Sequence, residues 1–339
     1  MNASIVNCID LSRGGTMKAK GMLPGLLSCA GMLLLILDSK NSFSAASDAV
    51  GLCMRMIIPS IFPFLVLSIF INGSLAGIQV PFLKAAAAAM GLPKGTESIL
   101  ISSFLGGYPA GAQAVTQYYE AGILTKETAE KMLAFTNNAG PAFIFGIISH
   151  MFSQKWVPWA LWIIHILSAF FVSQFMNLPS TPVVLSHNKT ESGTMAKAIN
   201  VTASICGWVI IFRIINDSIL RSLPHTTPSI ITVLITGILE LSNGCLALEQ
   251  VKDFALRFLI CSAMLSFGGL CVALQTISVC KGLSIRYYLA GKAIQLMISI
   301  LIGILFLWFE WTAFPFLFSA ALIIFRIKNK CGNIALLRV

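Results

Sequence analysis

Apolar residues in this chain fall into runs of two lengths, and those lengths carry the first information. The runs at 57–73, 156–176, 198–220 and 293–309 approach the roughly 20 residues a helix needs to cross a bilayer. The runs at 81–90, 98–107, 142–152, 230–239 and 270–280 are about half that length, which predicts half-helices or re-entrant pieces rather than crossings. Residues 21–37 form a further apolar run, and Asp38, Lys40 and Asn41 separate it from the small residues Ser44-Ala-Ala-Ser47. It therefore reads as an uncleaved first span rather than a signal peptide. Pro59 and Pro63 predict a kink in 57–73.

The half-length runs end at breaks. In the first half these are Phe104-Leu-Gly-Gly-Tyr-Pro-Ala-Gly111 and Phe135-Thr-Asn-Asn-Ala-Gly-Pro-Ala142; in the second, Glu240-Leu-Ser-Asn-Gly244 and Ser266-Phe-Gly-Gly269. Glycine frees the backbone and proline removes a donor, so a regular helix does not run through them. Lipid offers no hydrogen bonds, and broken backbone at membrane depth survives only where protein or a ligand cavity supplies partners. Paired interruptions of this kind point to the central site of a transporter.

Between the first pair of breaks, Thr125 is a candidate N-cap for a polar helix over 126–135, with Glu127 and Lys131 in the favourable i,i+4 order. Between the second pair, Glu249, Lys252, Asp253 and Arg257 predict another polar helical piece. Each half then reads as span, half-helix, break, polar helix, break, half-helix, span. The expected class is an all-α polytopic membrane protein of two pseudo-repeated halves, with broken helices, re-entrant segments and roughly eight to ten membrane segments. The boundaries are a basic N-terminal segment with the first span at 1–44, a first repeat at 45–176, a polar linker at 177–197, a second repeat at 198–310, and a last apolar segment with a basic tail at 311–339. Met17-Lys-Ala-Lys20 reads as a second possible start of translation.

Composition agrees with a membrane class. Of 339 residues, 57% are hydrophobic and 11% charged, where a soluble domain carries about 25% charged residues; the mean hydropathy is +0.85. The net charge of +10 is scattered between apolar runs, which argues for cytoplasmic loops and against a nucleic-acid face. The basic ends favour a cytoplasmic location for both termini. Nine cysteines without a CxxC read as reduced thiols in apolar segments, and the four histidines have no metal-ligand spacing. There is no P-loop, HExxH or GxSxG, so neither an enzyme nor a bound cofactor is expected.

Candidate chemistry lies at the breaks. A half-helix that opens at a break presents amides and a partial positive charge, which suits a carboxylate. The candidate substrate-binding positions are Gly107, Tyr108, Pro109, Gly111, Asn137, Asn138, Gly140 and Pro141 in the first half. In the second half they are Glu240, Ser242, Asn243, Gly244, Ser266, Gly268, Gly269 and Gln275. Glu240 is the sharpest, because an acid at the end of an apolar half-helix is costly there. Proton coupling, cation coordination and a hydrogen bond to an orphan amide are its open roles, and a helix-terminal acid at the membrane surface is the plainer alternative. Arg213 and Asp217, i,i+4 on one span, read as a mutually neutralising pair near an interface, with an anion-pathway arginine as the alternative. Trp156, Trp159 and Trp162 read as an interfacial belt.

At Gly107-Tyr-Pro-Ala-Gly111, Leu124-Thr-Lys-Glu-Thr-Ala-Glu130 and Asn137-Asn-Ala-Gly-Pro141 the sequence resembles the YlbJ family of sporulation integral membrane proteins, which carry the so-called nucleoside-recognition or Gate domain. The likeness extends more loosely to Leu239-Glu-Leu-Ser-Asn-Gly244 and Ser266-Phe-Gly-Gly269, with Gln275 downstream, and covers about residues 45 to 310. The resemblance implies a multi-pass protein of a spore former, similar in its Gate segments to concentrative nucleoside transporters. It further implies carriage of dipicolinic acid from mother cell toward forespore, in the mother-cell-derived outer forespore membrane. The expected partners are then a small organic anion, the lipid bilayer and a coupling H+ or Na+, with no nucleic acid. A non-transporting scaffold for spore assembly and a nucleoside carrier remain the alternatives.

Overall fold

The computed structural model describes residues 19–178, 193–321 and 323–324. The expectations placed on Met17, on most of the 177–197 linker and on the basic tail lie outside these residues. The chain forms two compact units, Met1–Ala45 and Ala46–Val339. Helix α1 (Ala19–Leu37) belongs to the first. Helix α2 (Ser39–Leu52) passes through a π-helical turn at Cys53–Ile57 into α3 (Ile58–Leu75). The π turn falls just before Pro59, where a proline leaves an upstream carbonyl without its donor. The Ser60 hydroxyl donates to Met56 O at 2.6 Å, and the helix continues rather than ending.

Short elements follow: α4 (Lys84–Ala89), α5 (Ile99–Ile101) running into a π turn at Ser102–Gly106, α6 (Ala110–Glu120), α7 (Lys126–Thr136) and α8 (Pro141–Gly146). Thr125 caps α7 by accepting from Thr128 N at 3.3 Å, and Lys131 pairs with Glu127 at 2.6 Å. Then come α9 (Val157–Phe175), α10 (Thr194–Ser222), α11 (Ser229–Leu239), α12 (Leu241–Ala247), α13 (Phe254–Phe267), α14 (Gly269–Val279) and α15 (Arg286–Phe309). Helix α15 packs against α7, α9 and α13 at the centre of the second unit.

Among the described residues there is no strand, and Ser39–Leu75, Val157–Phe175, Thr194–Ser222, Phe254–Val279 and Arg286–Ala321 are long and apolar enough to cross a membrane. The chain is an all-α polytopic membrane protein. Beside these 5 long stretches, Ser28–Leu37 and Ser229–Leu239 are shorter apolar helices.

Several boundaries differ from expectation. The polar stretch 249–257 is a turn and a helix start: Glu249 lies in a 3-10 turn, and Asp253 caps α13 by accepting from Leu256 N at 2.7 Å. The charges there serve a helix end, and Arg257 donates to Val251 O at 2.7 Å and Met151 O at 3.2 Å. Asp217 pairs with Arg221, while Arg213 turns toward Asn243 and Asp48. Trp156 packs with Phe254, Phe258 and Phe306, so only Trp159 of the expected belt is largely exposed. Helix α15 begins at Arg286 and not at residue 293, which carries Lys292 inside the helix.

Candidate functional site

In the first half the breaks cross backbone on backbone. Gly107 takes φ 78, a left-handed value that favours glycine, and the Tyr108–Pro109 peptide is cis. A Cβ on Gly107 would stand 3.1 Å from Gly140 N, and one on Gly140 would stand 2.8 Å from Gly107 Cα. A Cβ on Gly111 would collide with the Thr136 carbonyl. Pro141 occupies the first turn of α8, where its missing donor costs nothing. Asn137 binds the crossing to the second half. Its Oδ1 accepts from Ala112 N at 3.4 Å, and its Nδ2 donates to Thr276 Oγ1 at 2.8 Å.

The second half uses an acid where the first uses an amide. Helix α11 stops at Leu239, Glu240 is extended, and α12 begins. The Glu240 carboxylate accepts from Ser242 N at 2.9 Å and Asn243 N at 2.7 Å, and the residue is 2% exposed. Of the roles considered for Glu240, hydrogen bonding to orphan amides is the one observed, with the carboxylate buried in the protein. Arg213 Nη1 donates to Asn243 Oδ1 at 2.9 Å, with its other nitrogen 3.9 Å from Asp48. Gly244 sits against Gly237 with no room for a Cβ, and Gly269 lies against the carbonyls of Gly237, Ile238 and Leu239. Gly268 and Gly269 are left-handed, and a Cβ on Gly268 would stand 3.3 Å from the Tyr108 ring. Ser266 Oγ lies 3.4 Å from His165 Nδ1.

These elements enclose a cavity of about 40 Å³. Gly107, Tyr108 and Gly140 reach it from the first half, and Glu240, Ser242 and Gln275 from the second. That volume has room for a few water molecules and no organic solute. Asn137, Asn138, Asn243 and Ser266 support the wall from behind, and Gly111, Gly244, Gly268, Gly269, Pro109 and Pro141 shape the backbone. The helix ends are less open than expected. Ala112 N is taken by Asn137, Ser242 N and Asn243 N by Glu240, and Phe143 N and Ile144 N by Gly140 O. A break out of reach of water satisfies its own amides first.

The residue the sequence reading overlooked is Lys292. It is 1% exposed, and its Nζ donates to Gln295 Oε1 at 2.7 Å, Tyr108 Oη at 3.2 Å and Asn138 Oδ1 at 3.3 Å, all neutral oxygens. Gln295 Nε2 in turn donates to Asn138 Oδ1 at 3.1 Å, and His165 Nε2 accepts from Ala139 N at 3.0 Å. Tyr108 joins this network to the cavity, because its ring lines the cavity while its hydroxyl donates to Leu265 O at 3.0 Å and accepts from Lys292. A sequence signal was present. Tyr288, Lys292, Gln295 and Ser299 recur at i, i+4, i+7 and i+11, one polar stripe on an otherwise apolar span, and all are buried.

No protein-family model matches the chain, and no solved structure matches it. Over 126 residues the chain is 27% identical to the sporulation integral membrane protein YlbJ of Bacillus subtilis (strain 168), a match that covers 36% of this chain and 30% of that protein's length.

Proposed function

We propose that the chain is a sporulation-associated membrane permease for a small organic anion, dipicolinate, carried from mother cell toward forespore. The observation that carries this reading is Lys292. A lysine buried inside an apolar span is costly, by up to roughly 3 kcal/mol at the helix centre on insertion scales, and neutral oxygens offset only part of that. An anion in the neighbouring cavity completes its surroundings. Tyr108 offers such a solute a flat aromatic face, and Gln275 and Ser242 offer polar contacts. Carriage requires the halves to part around the cavity, as in alternating access at the interface of two repeats. The similarity to a sporulation membrane protein supports the sporulation context, and the resemblance in the break motifs supports the choice of cargo.

The test is uptake of radiolabelled dipicolinate by proteoliposomes, with a nucleoside in a parallel arm. Dipicolinate uptake is expected, and uptake of the nucleoside alone reassigns the cargo. Spores of a deletion strain are expected to lack most of their dipicolinate; normal content would leave a non-transporting scaffold as the better account.

A further inference from the structure

A second hollow, of about 300 Å³, lies between α6, α10 and α14 and differs in character from the central cavity. Helix α6 contributes Gln113, Gln117 and Glu120, α10 contributes Lys197, Asn200 and Ser204, and α14 contributes Ser278, with Lys281 just beyond it. The Oε1 atoms of Gln113 and Gln117 are buried without a hydrogen-bond partner in the protein. A polar wall with unmet acceptors is one that water or a polar solute completes.

The same faces of these helices lead on to the central cavity. On α10, Val201 and Ser204 line the cleft and Ile205 and Val209 line the cavity; on α14, Ser278 and Val279 line the cleft and Gln275 and Val272 the cavity. The steps are of three or four residues, so the two hollows lie along one stripe of each helix, separated by about one turn or 5 Å. Helix α6 itself starts at the Gly107–Pro109 break.

The end of the molecule at which the cleft opens is identifiable. Lys131 donates to Asn177 O at 2.9 Å, Gln174 to Ala89 O at 2.9 Å, and Ser284 N to Glu130 Oε1 at 2.8 Å, which gathers these loops at one end. Lys94, Lys126, Lys131, Lys197, Lys281 and Arg286 fall in or beside these loops. Excess lysine and arginine in short loops marks the cytoplasmic side.

We propose that this cleft is the cytoplasmic vestibule of the transport path, a water-filled mouth that collects a small anion and delivers it to the central cavity across a one-turn partition. Lys197 and Lys281 at the rim outnumber Glu120 and favour an anion. The proposal rests on the permease reading for its cargo, but water access is a property of the fold and is measured without any cargo.

The experiment places single cysteines at Ser204 and Ser278 in a cysteine-free chain and exposes them to a membrane-impermeant thiol reagent in inside-out and right-side-out vesicles. Both positions are expected to label from the cytoplasmic face and at least tenfold more slowly from the other. Leu234→Cys, on the apolar outer face, is expected to remain unlabelled. Labelling only from the opposite face, or none while Lys126→Cys labels, overturns the vestibule. Labelled Ser278→Cys is expected to lose at least tenfold of its dipicolinate uptake, and unchanged uptake also overturns it. In the unlabelled protein, Lys281→Glu is expected to raise the half-saturating dipicolinate concentration about threefold or more. Cytoplasmic labelling in a protein that moves no dipicolinate in any form would leave the water path standing and reject the permease reading alone.

Discussion

The first-half crossing and the second-half crossing solve one problem with opposite chemistry. Both interrupt helices where lipid supplies no hydrogen bonds, and both rely on glycine for close backbone contact, Gly107 on Gly140 and Gly237 on Gly244. The first satisfies its amides with Asn137, a neutral side chain, and stands beside the Lys292 amine. The second satisfies its amides with the carboxylate of Glu240, whose charge is offset by the α12 N-terminus and by Arg213 nearby. The difference teaches that a negative charge at a break is used up locally by the helix it caps. The amine behind the other break, Lys292, is held only by neutral oxygens.

The shared part of the comparison breaks most completely. Gly111→Ala drives a Cβ into the Thr136 carbonyl, and backbone overlap has no side-chain repacking to relieve it; we expect a loss of about 3 kcal/mol or more. Size-exclusion chromatography of the detergent-extracted protein should show aggregation in place of a monodisperse peak, and a monodisperse variant would mean that the crossing is looser than described.

The cationic side is next. Lys292→Met removes the charge and keeps the bulk, so the protein should insert and extract normally while dipicolinate uptake falls about a hundredfold, equivalent to roughly 2.7 kcal/mol. Uptake within twofold of wild type would remove the cation from the mechanism and with it the contrast drawn above.

Glu240→Gln sharpens the acidic side. Glutamine keeps one acceptor for the α12 amides and faces the other with an NH2, at a cost of about 1–3 kcal/mol. The variant should remain inserted with a lower thermal midpoint and with uptake abolished or nearly so. Wild-type uptake with only the lowered midpoint would make Glu240 a cap and nothing more.

The smallest effect is expected at Arg213, which is partly exposed and reaches Asn243 by one hydrogen bond. Arg213→Gln should change uptake about two- to fivefold, or less than 1 kcal/mol. An effect as large as that of Lys292→Met would show that the two halves share one electrostatic site.

Run length and residue type were enough to settle the class of this protein and the places where its helices stop. Apolar runs must leave water wherever they pack, and glycine, proline and cap residues act on their nearest neighbours, so 98–107, 230–239 and the Thr125 cap were legible in one dimension. The charges were not. Glu249, Asp253 and Arg257 looked like a polar helix; instead Glu249 lies in a turn, Asp253 caps α13 and Arg257 ties its first turn to Val251, because a cap and a helical surface contain the same residue types. Lys292 falls one position outside the 293–309 run and lies inside α15. What surrounds Lys292 comes from Tyr108, Asn138 and Gln295. Two of those partners lie more than 150 positions away in sequence, and no local pattern specifies a meeting at that separation. Only packing α15 against α7 and α9 brought a lysine behind the glycines.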